Sequence, residues 1–197
     1  MKQNQTKIWV YADWEFLEEA QLMGVLTSQR IRGKEVFFFE YTETWMNKQN
    51  PILFLDPHLG FYKGKQYLPD EKNNFGIFLD SSPDRWGRLL MRRREAWQAK
   101  EEGRDERTLF ESDFLLGVFD GHRMGGVRFK LSEEGVYMND QKTMATPPWT
   151  SLRELEYASL QLERDDAMND PEYSHWLSVL IDPGSSLGGA RPKASVV

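Results

Sequence analysis

Three segments rich in β-branched and aromatic residues lie within the first 41 residues of this 197-residue chain. They are Lys7–Ala12, Met23–Ser28 and Glu35–Tyr41, separated by polar or glycine-bearing breaks. Such side chains pack well on a pleated surface, so these segments favour β-strands. The sequence therefore predicts three strands at these positions, a turn at Arg30–Lys34 and a further short strand at Phe75–Leu79.

The segment Ser82-Pro83-Asp84 has the features of a helix start. Ser82 can cap the helix, proline fits the first turn, and a carboxylate suits the positive end of the helix dipole. Gly103 is a typical helix end, and Thr108–Gly117 predicts a second, shorter helix. The apolar face of the first helix is formed by Trp86, Leu89, Leu90 and Trp97.

The rest of the chain predicts a hairpin, a connector and further helical segments. Gly125–Asn139 alternates apolar and charged residues around a predicted turn, as paired strands do. Two prolines at residues 140–150 favour an extended connector. A capping-box pattern starts a helix at Ser151, and His175–Ile181 is compatible with helix or strand. We therefore predict an α+β fold with a small mixed sheet and helix subdomain at residues 1–139, a connector at 140–150, and the opening elements of a larger unit at 151–197.

Composition excludes several classes of function. The net charge of −6 argues against broad, sequence-blind nucleic-acid binding. Cysteine is absent, so there is neither a thiol nucleophile nor a disulfide framework. His58, His122 and His175 lack the spacing of a helical metal pair, and we expect no metal site. No apolar run approaches the roughly 18 residues of a membrane span, so we expect a soluble cytoplasmic protein without membrane contacts.

A glycine-rich segment at Gly184–Lys193 is the main candidate for a functional loop. Its glycines allow main-chain N–H groups to approach an anion, while serines add donors and Arg191 adds positive charge. The segment matches neither the Walker A pattern nor G-x-G-x-x-G. Residues 193–197 after it predict a β-strand, and protein kinases cover ATP phosphates with a glycine-rich loop between strands. An ordinary glycine turn is the alternative.

Other charged clusters have structural explanations as alternatives to functional ones. Asp84, Arg85 and Arg88 suggest a substrate site, or a capped helix with a solvated charged face. Arg92–Arg94 suggests a contact with phosphate or with an acidic partner, or a solvated face balanced by Glu95, Glu101 and Glu102. We interpret the remaining polar clusters as turns and helix ends: Asp120–Gly126, Asp165, Asp166 and Asn169.

Three segments in series resemble the HipA family of toxin kinases. They are Leu79–Leu90, Glu111–Phe129 and Ser185–Lys193, with weaker similarity at Val10–Trp14 and Gly24–Leu26. The resemblance covers roughly residues 7 to 197. It implies a serine/threonine kinase of a bacterial toxin–antitoxin module, in which a small N-terminal subdomain precedes a kinase core with a lipid-kinase-like fold.

The resemblance also implies partners, cofactors and site residues. A complete kinase of this family uses ATP and Mg²⁺, phosphorylates proteins such as aminoacyl-tRNA synthetases, and binds a helix-turn-helix antitoxin, through which alone it contacts DNA. Autophosphorylation of the loop serine silences the enzyme, and that serine corresponds to Ser186, with Ser185 as the neighbouring candidate. The nucleotide-binding residues implied are Ser185, Ser186, Leu187, Gly188, Gly189, Ala190, Arg191 and Lys193.

One departure from the family is large. Its ATP-contacting lysine, its catalytic aspartate and asparagine, and its magnesium aspartate all follow the glycine loop and have no counterparts in these 197 residues. We therefore expect the N-terminal portion of such a kinase, with no catalytic residue, no tightly bound cofactor and no activity alone. The alternatives are a stand-alone regulatory, antitoxin-like module of a split kinase system, and a degraded remnant.

Overall fold

The computed structural model describes residues 4–48, 55–69, 71–138 and 152–184, and within them the chain has the predicted mixture of strands and helices. The strands are β1 (Asn4–Ala12), β2 (Gln21–Ile31), β3 (Lys34–Tyr41), β4 (Gln66–Tyr67) and β5 (Val127–Lys130). The helices are α1 (Glu43–Met46), α2 (Gly76–Asp80), α3 (Arg85–Glu101), α4 (Glu111–Gly117), α5 (Leu152–Leu162) and α6 (Tyr173–Gly184). The α+β class is confirmed.

The five strands form one antiparallel sheet in the order β4-β3-β2-β1-β5. A two-residue turn joins β2 to β3, with Ile31 opposite Lys34. Arg32 and Gly33 in this turn have φ values of 50° and 79°. Positive φ at both central positions gives the turn a twist that matches the strands. The three strands and the turn predicted for residues 7–41 are confirmed.

One face of the sheet carries an aromatic core. Phe39 of β3, Phe78 of α2 and Phe129 of β5 are fully buried there. The ring centroid of Phe78 lies 5.6 Å from that of Phe39 and 6.1 Å from that of Phe129. Burial of aromatic side chains gives a large hydrophobic stabilisation, which holds α2 against the sheet.

A second hydrophobic core joins α3 to α5 and α6. Its buried side chains come from all three helices and include Trp86, Leu90, Leu155, Leu162, Trp176, Leu177 and Leu180. Residues 175–181, which were compatible with helix or strand, belong to helix α6. The division proposed at 140–150 stays a prediction, because these residues and Ser151 lie outside the described part of the chain.

The prediction of a strand at Phe75–Leu79 is wrong, because Gly76–Asp80 is the helix α2. The carboxylate of Asp56 explains the difference. Its Oδ2 accepts a hydrogen bond from the main-chain N–H of Ile77 at 3.1 Å, and its Oδ1 accepts one from that of His58 at 2.7 Å. A carboxylate that satisfies a free N–H of the first turn stabilises a short helix in an apolar segment.

The predicted helix after Ser82 is confirmed, but its capping residue is Asp84. The Oδ1 atom of Asp84 accepts a hydrogen bond from the main-chain N–H of Gly87 at 2.9 Å. The Ser82 hydroxyl instead donates to the main-chain oxygen of Phe78 at 2.7 Å. It therefore satisfies an acceptor at the C-terminal end of α2 and does not cap α3. The helix ends as predicted, with Gly103 in the left-handed region at φ 62°.

The predicted hairpin at residues 125–139 is only half formed. Val127–Lys130 is the strand β5, but it pairs with β1, and residues 136–138 form no strand. One main-chain hydrogen bond, from Met138 N–H to Phe129 oxygen at 2.7 Å, joins the two halves. The main-chain oxygen of Met138 accepts from the side chain of Arg123 at 3.1 Å.

Candidate functional site

The glycine-rich segment begins at the end of helix α6. Gly184 is the last residue of this helix. The predicted loop residues that follow lie outside the described part of the chain, so the structure does not place them: Ser185, Ser186, Leu187, Gly188, Gly189, Ala190, Arg191 and Lys193. The structure does describe how helix α6, which leads to these residues, packs against the rest of the chain. Trp176 and Leu177 of α6 are buried in one core with Trp86 of α3.

Arg123 joins the first two segments of the HipA resemblance. Its Nη1 atom donates to the main-chain oxygens of Ser81 at 2.9 Å and Leu115 at 2.8 Å. Its Nη2 atom donates to those of Val118 at 3.0 Å and Met138 at 3.1 Å. One guanidinium therefore satisfies four main-chain acceptors from separate parts of the chain. Sequence reasoning missed this role, because it treated residues 120–126 as a turn.

The environment of Arg123 is unusual for a charged side chain. Burial lowers the pKa of Arg123 to about 10, while nearby Asp120 raises it and Arg128 lowers it further. The guanidinium therefore remains charged near neutral pH. It also lies 4.6 Å from the ring centroid of Phe129, which places a cation against an aromatic face.

An ion pair between side chains also joins these two segments. Arg88 Nη1 and Nη2 donate to Glu111 Oε1 and Oε2 at 2.6 and 2.7 Å. The side chains of Arg88 and Glu111 are 20% and 19% exposed, so solvent screens the pair only in part. Asp84 caps α3, as the interpretation of a capped helix predicted, but Arg88 is largely shielded in this ion pair and does not belong to a solvated face.

Helix α4 is attached to the sheet through two polar contacts. Glu35 Oε2 of β3 accepts from the main-chain N–H of Ser112 at 3.0 Å, and Oε1 accepts from its hydroxyl at 2.5 Å. Arg30 Nη2 of β2 pairs with Asp113 Oδ2 at 3.1 Å. A carboxylate at the N-terminal end of a helix interacts favourably with the free N–H groups there.

The interpretation of Glu95 as a solvated residue of α3 is wrong. Its side chain is 5% exposed and accepts from Arg104 Nη1 at 2.6 Å and from the main-chain N–H of Arg107 at 3.0 Å. The hydrogen bond from Arg104 lowers the pKa of Glu95, and that from Arg107 lowers it further, against the effect of burial. The sequence held a signal for this burial, because Glu95 is four residues from both Met91 and Ala99, which are buried on the same face.

A cleft with a volume of about 980 Å³ lies at the edge of β3. Residues 33–37 form one side, and residues 109–111 with Phe114 form the other. Residues 67–69, Lys72, Asn73 and Arg92 complete the lining. Sequence reasoning did not find this cleft, because it is formed by segments far apart in the chain.

Within the described ranges, no three His, Asp or Glu side chains form a group that could bind a metal ion. The acidic cluster near residue 166 makes ordinary polar contacts, with Arg164 Nη2 3.0 Å from Asp166 Oδ2 and Lys100 Nζ 2.9 Å from Asn169 Oδ1. In that same part of the chain, none of the helices combines the length and apolar character needed to cross a bilayer.

No family model, curated protein or solved structure matches the chain. The assignment of a function therefore depends on the motifs of this chain and on the contacts their residues make.

Proposed function

We propose that this chain supplies the N-terminal subdomain and the nucleotide-covering loop of a HipA-like serine/threonine kinase. In this proposal the complete kinase belongs to a bacterial toxin–antitoxin module and phosphorylates a translation-related protein. Residues 151–184 begin its kinase core, and residues 185–193 cover ATP. In this proposal the catalytic aspartate belongs to a part of the kinase outside these 197 residues, and the isolated chain does not transfer phosphate.

The observation that carries the proposal is the contact between the motif segments. Arg123 donates to Ser81 and Leu115, and Arg88 pairs with Glu111, so the segments 79–90 and 111–129 form one junction. Helix α3, which begins within the first segment, packs on α6, and α6 ends where the third segment begins. Motifs that resemble one family in sequence order are thus connected in space up to the start of the loop.

The chemistry of the loop agrees with this role. Glycine and serine donors with Arg191 suit the phosphates of ATP. A phosphate on Ser186 would add about −1.5 to −2 charges at a place that binds nucleotide phosphates, and so would exclude the nucleotide.

The proposal is tested first on the purified 197-residue protein with radiolabelled ATP and Mg²⁺. We expect no label on the chain or on added aminoacyl-tRNA synthetases. Label on either would contradict the claim that the catalytic groups are missing.

The coding sequence after the Val197 codon tests the family assignment itself. A continuous reading frame with a catalytic Asp and Asn supports the proposal, whereas a separate neighbouring kinase gene supports the antitoxin-like module of a split system. A genomic neighbourhood with neither feature contradicts both. With the kinase half present, we expect phosphate on Ser186 by mass spectrometry, lost in Ser186→Ala and retained in the matched variant Ser185→Ala.

A further inference from the structure

The N-terminal half of strand β3 has an open edge. The two-residue strand β4 pairs with β3 only at Phe38 and Phe39. Among the described residues, no strand lies beside Lys34–Phe37 on the side away from β2. An edge of this kind presents main-chain donors and acceptors to any extended segment that can reach it.

The tight turn determines which main-chain groups of this edge are free. Lys34 lies opposite Ile31 at the end of the two-residue turn, and such closing pairs bond to each other. By alternation, the main-chain groups of Val36 face β2 and those of Glu35 face the cleft. No described residue accepts a hydrogen bond from the Glu35 main-chain N–H.

The cleft beside this edge has room for a short peptide. Its volume of about 980 Å³ is at the upper end of ligand sites. The half-buried Phe110 supplies apolar surface on one side, and Val36 and Tyr67 supply exposed apolar surface along the edge, with 43% and 65% of their surface accessible. An added strand would therefore contact apolar side chains on both of its faces.

The charge of the cleft selects the kind of peptide. Lys34, Lys72 and Arg92 line it, are exposed, and form no salt bridge with any described carboxylate. Of its two carboxylates, Glu111 is paired with Arg88, whereas Glu35 accepts hydrogen bonds from the neutral residue Ser112 and keeps its negative charge. Among the described side chains of the cleft, the three cations therefore outnumber the carboxylate that has no cationic partner, in a chain whose net charge is −6. Such a site favours an acidic ligand.

From these observations we propose that the cleft binds an extended acidic segment of a partner protein, which adds as a strand to the edge of β3 at Lys34–Phe37. Main-chain hydrogen bonds to Glu35 hold the segment, acidic side chains contact the three cations, and alternate apolar side chains pack on Val36 and Phe110. This is strand addition, in which the main chain gives affinity and alternate side chains give specificity. The site does not depend on the kinase assignment.

The first test measures binding of a fluorescent eight-residue peptide of alternating glutamate and valine to the purified chain by anisotropy. We expect saturable binding. Replacement of the glutamates by lysine, or of alternate residues by proline to remove N–H donors, should weaken binding at least tenfold. Equal binding of the lysine peptide would overturn the charge argument, and equal binding of the proline peptide would overturn strand addition. Absence of binding by the acidic peptide would overturn both.

Two variants of helix α3 locate the site. Arg92→Glu should weaken binding of the acidic peptide at least tenfold, because it places a carboxylate in the cleft. Arg85→Glu makes the same change at an exposed position of the same helix outside the cleft and should change binding less than threefold. If the two substitutions weakened peptide binding equally, or if neither weakened it, the peptide would bind outside the cleft.

Amide exchange measured by NMR tests the pairing. The bound peptide should slow exchange of the Glu35 amide at least tenfold, whereas the Val36 amide, which already faces β2, should change little. An unchanged Glu35 amide under saturating peptide would overturn strand addition. Self-association of the chain that the peptide does not displace would assign the edge to a second copy instead.

Discussion

Arg88 and Glu111 form a two-point ion pair between the first turn of α3 and the first residue of α4, with both nitrogen–oxygen distances between 2.6 and 2.7 Å. The Arg88 guanidinium also lies 4.7 Å from the ring centroid of Phe114. Parallel hydrogen bonds in a partly buried setting restrict geometry more strongly than a single exposed contact. The pair thereby positions α4, which forms one side of the cleft.

A double-mutant cycle of Arg88→Met and Glu111→Gln measures this pair. We expect a coupling free energy of about 1–3 kcal/mol in urea unfolding, because the pair is bidentate and largely shielded. Lys63 and Glu43, which are 67% and 80% exposed and 3.1 Å apart, provide the control. Their coupling should be below about 0.5 kcal/mol. Equal coupling in the two cycles would contradict the proposed importance of shielding.

Arg123→Met should be strongly destabilising. The substitution keeps an apolar stem but leaves four main-chain oxygens without their donor. We expect a loss of about 3–5 kcal/mol in the free energy of unfolding. Arg164→Met removes an exposed pair with Asp166 and should cost less than about 1 kcal/mol. A loss at Arg123 as small as that at Arg164 would show that the junction does not need the guanidinium.

Glu95 should make stability depend on pH in the acidic range. Its pKa in the folded chain lies below the ordinary value of 4.5, because the charged form accepts a hydrogen bond from Arg104. The stabilisation is therefore present above about pH 4.5 and is lost as the pH falls through the folded pKa.

Glu95→Gln provides the measurement. At pH 7 we expect it to lower the free energy of unfolding by about 1–3 kcal/mol, and the difference from the parent chain should shrink as the pH falls below 4.5. Glu102→Gln alters a carboxylate that is 60% exposed and binds the same arginine, so it should have little effect. If the difference in the free energy of unfolding between Glu95→Gln and the parent chain grew as the pH falls, the predicted direction of the pH dependence would be wrong.

Gly24→Ala should destabilise the sheet. A Cβ atom on Gly24 would lie 2.5 Å from the main-chain oxygen of Glu40 and even closer to the ring of Phe39. Neither group can move without disturbing β3, so we expect a cost of about 1–3 kcal/mol in thermal or urea unfolding. Gly33→Asn is the control, because nothing lies within 4 Å of a Cβ there and asparagine tolerates its φ of 79°. A larger loss at Gly33 than at Gly24 would contradict this account.

The helices show where prediction from sequence reaches its limit. Helix α3 is predictable because its apolar spacing, acidic start and terminal glycine are all local features. The segment around Phe78 is equally apolar in either conformation, and a distant carboxylate, Asp56, stabilises the helix instead of a strand. No periodicity in the segment itself contains that information.

The two candidate sites also differ in how far the sequence predicts them. The composition of residues 184–193 suggests an anion-binding loop without any tertiary knowledge. The cleft beside β3 depends on contacts such as that between Glu35 and Ser112, which are 77 residues apart. The sequence does not distinguish charged residues of the cleft from those of the core, because a local pattern does not predict which carboxylate each arginine pairs with.

The sequence by itself determined the strands of residues 4–41, the turn that joins β2 to β3, and the start and end of α3. These follow from the alternation of strands, the 3.6-residue period of helices and the left-handed preference of glycine, all of which act within a few residues. Only the tertiary structure decided that Arg123 would join four carbonyl groups, that Glu95 would be buried, and that no described strand would pair with Lys34–Phe37 of β3 on the side away from β2. These outcomes depend on the desolvation and pairing of groups that are distant in the chain, and local periodicity carries no information about either.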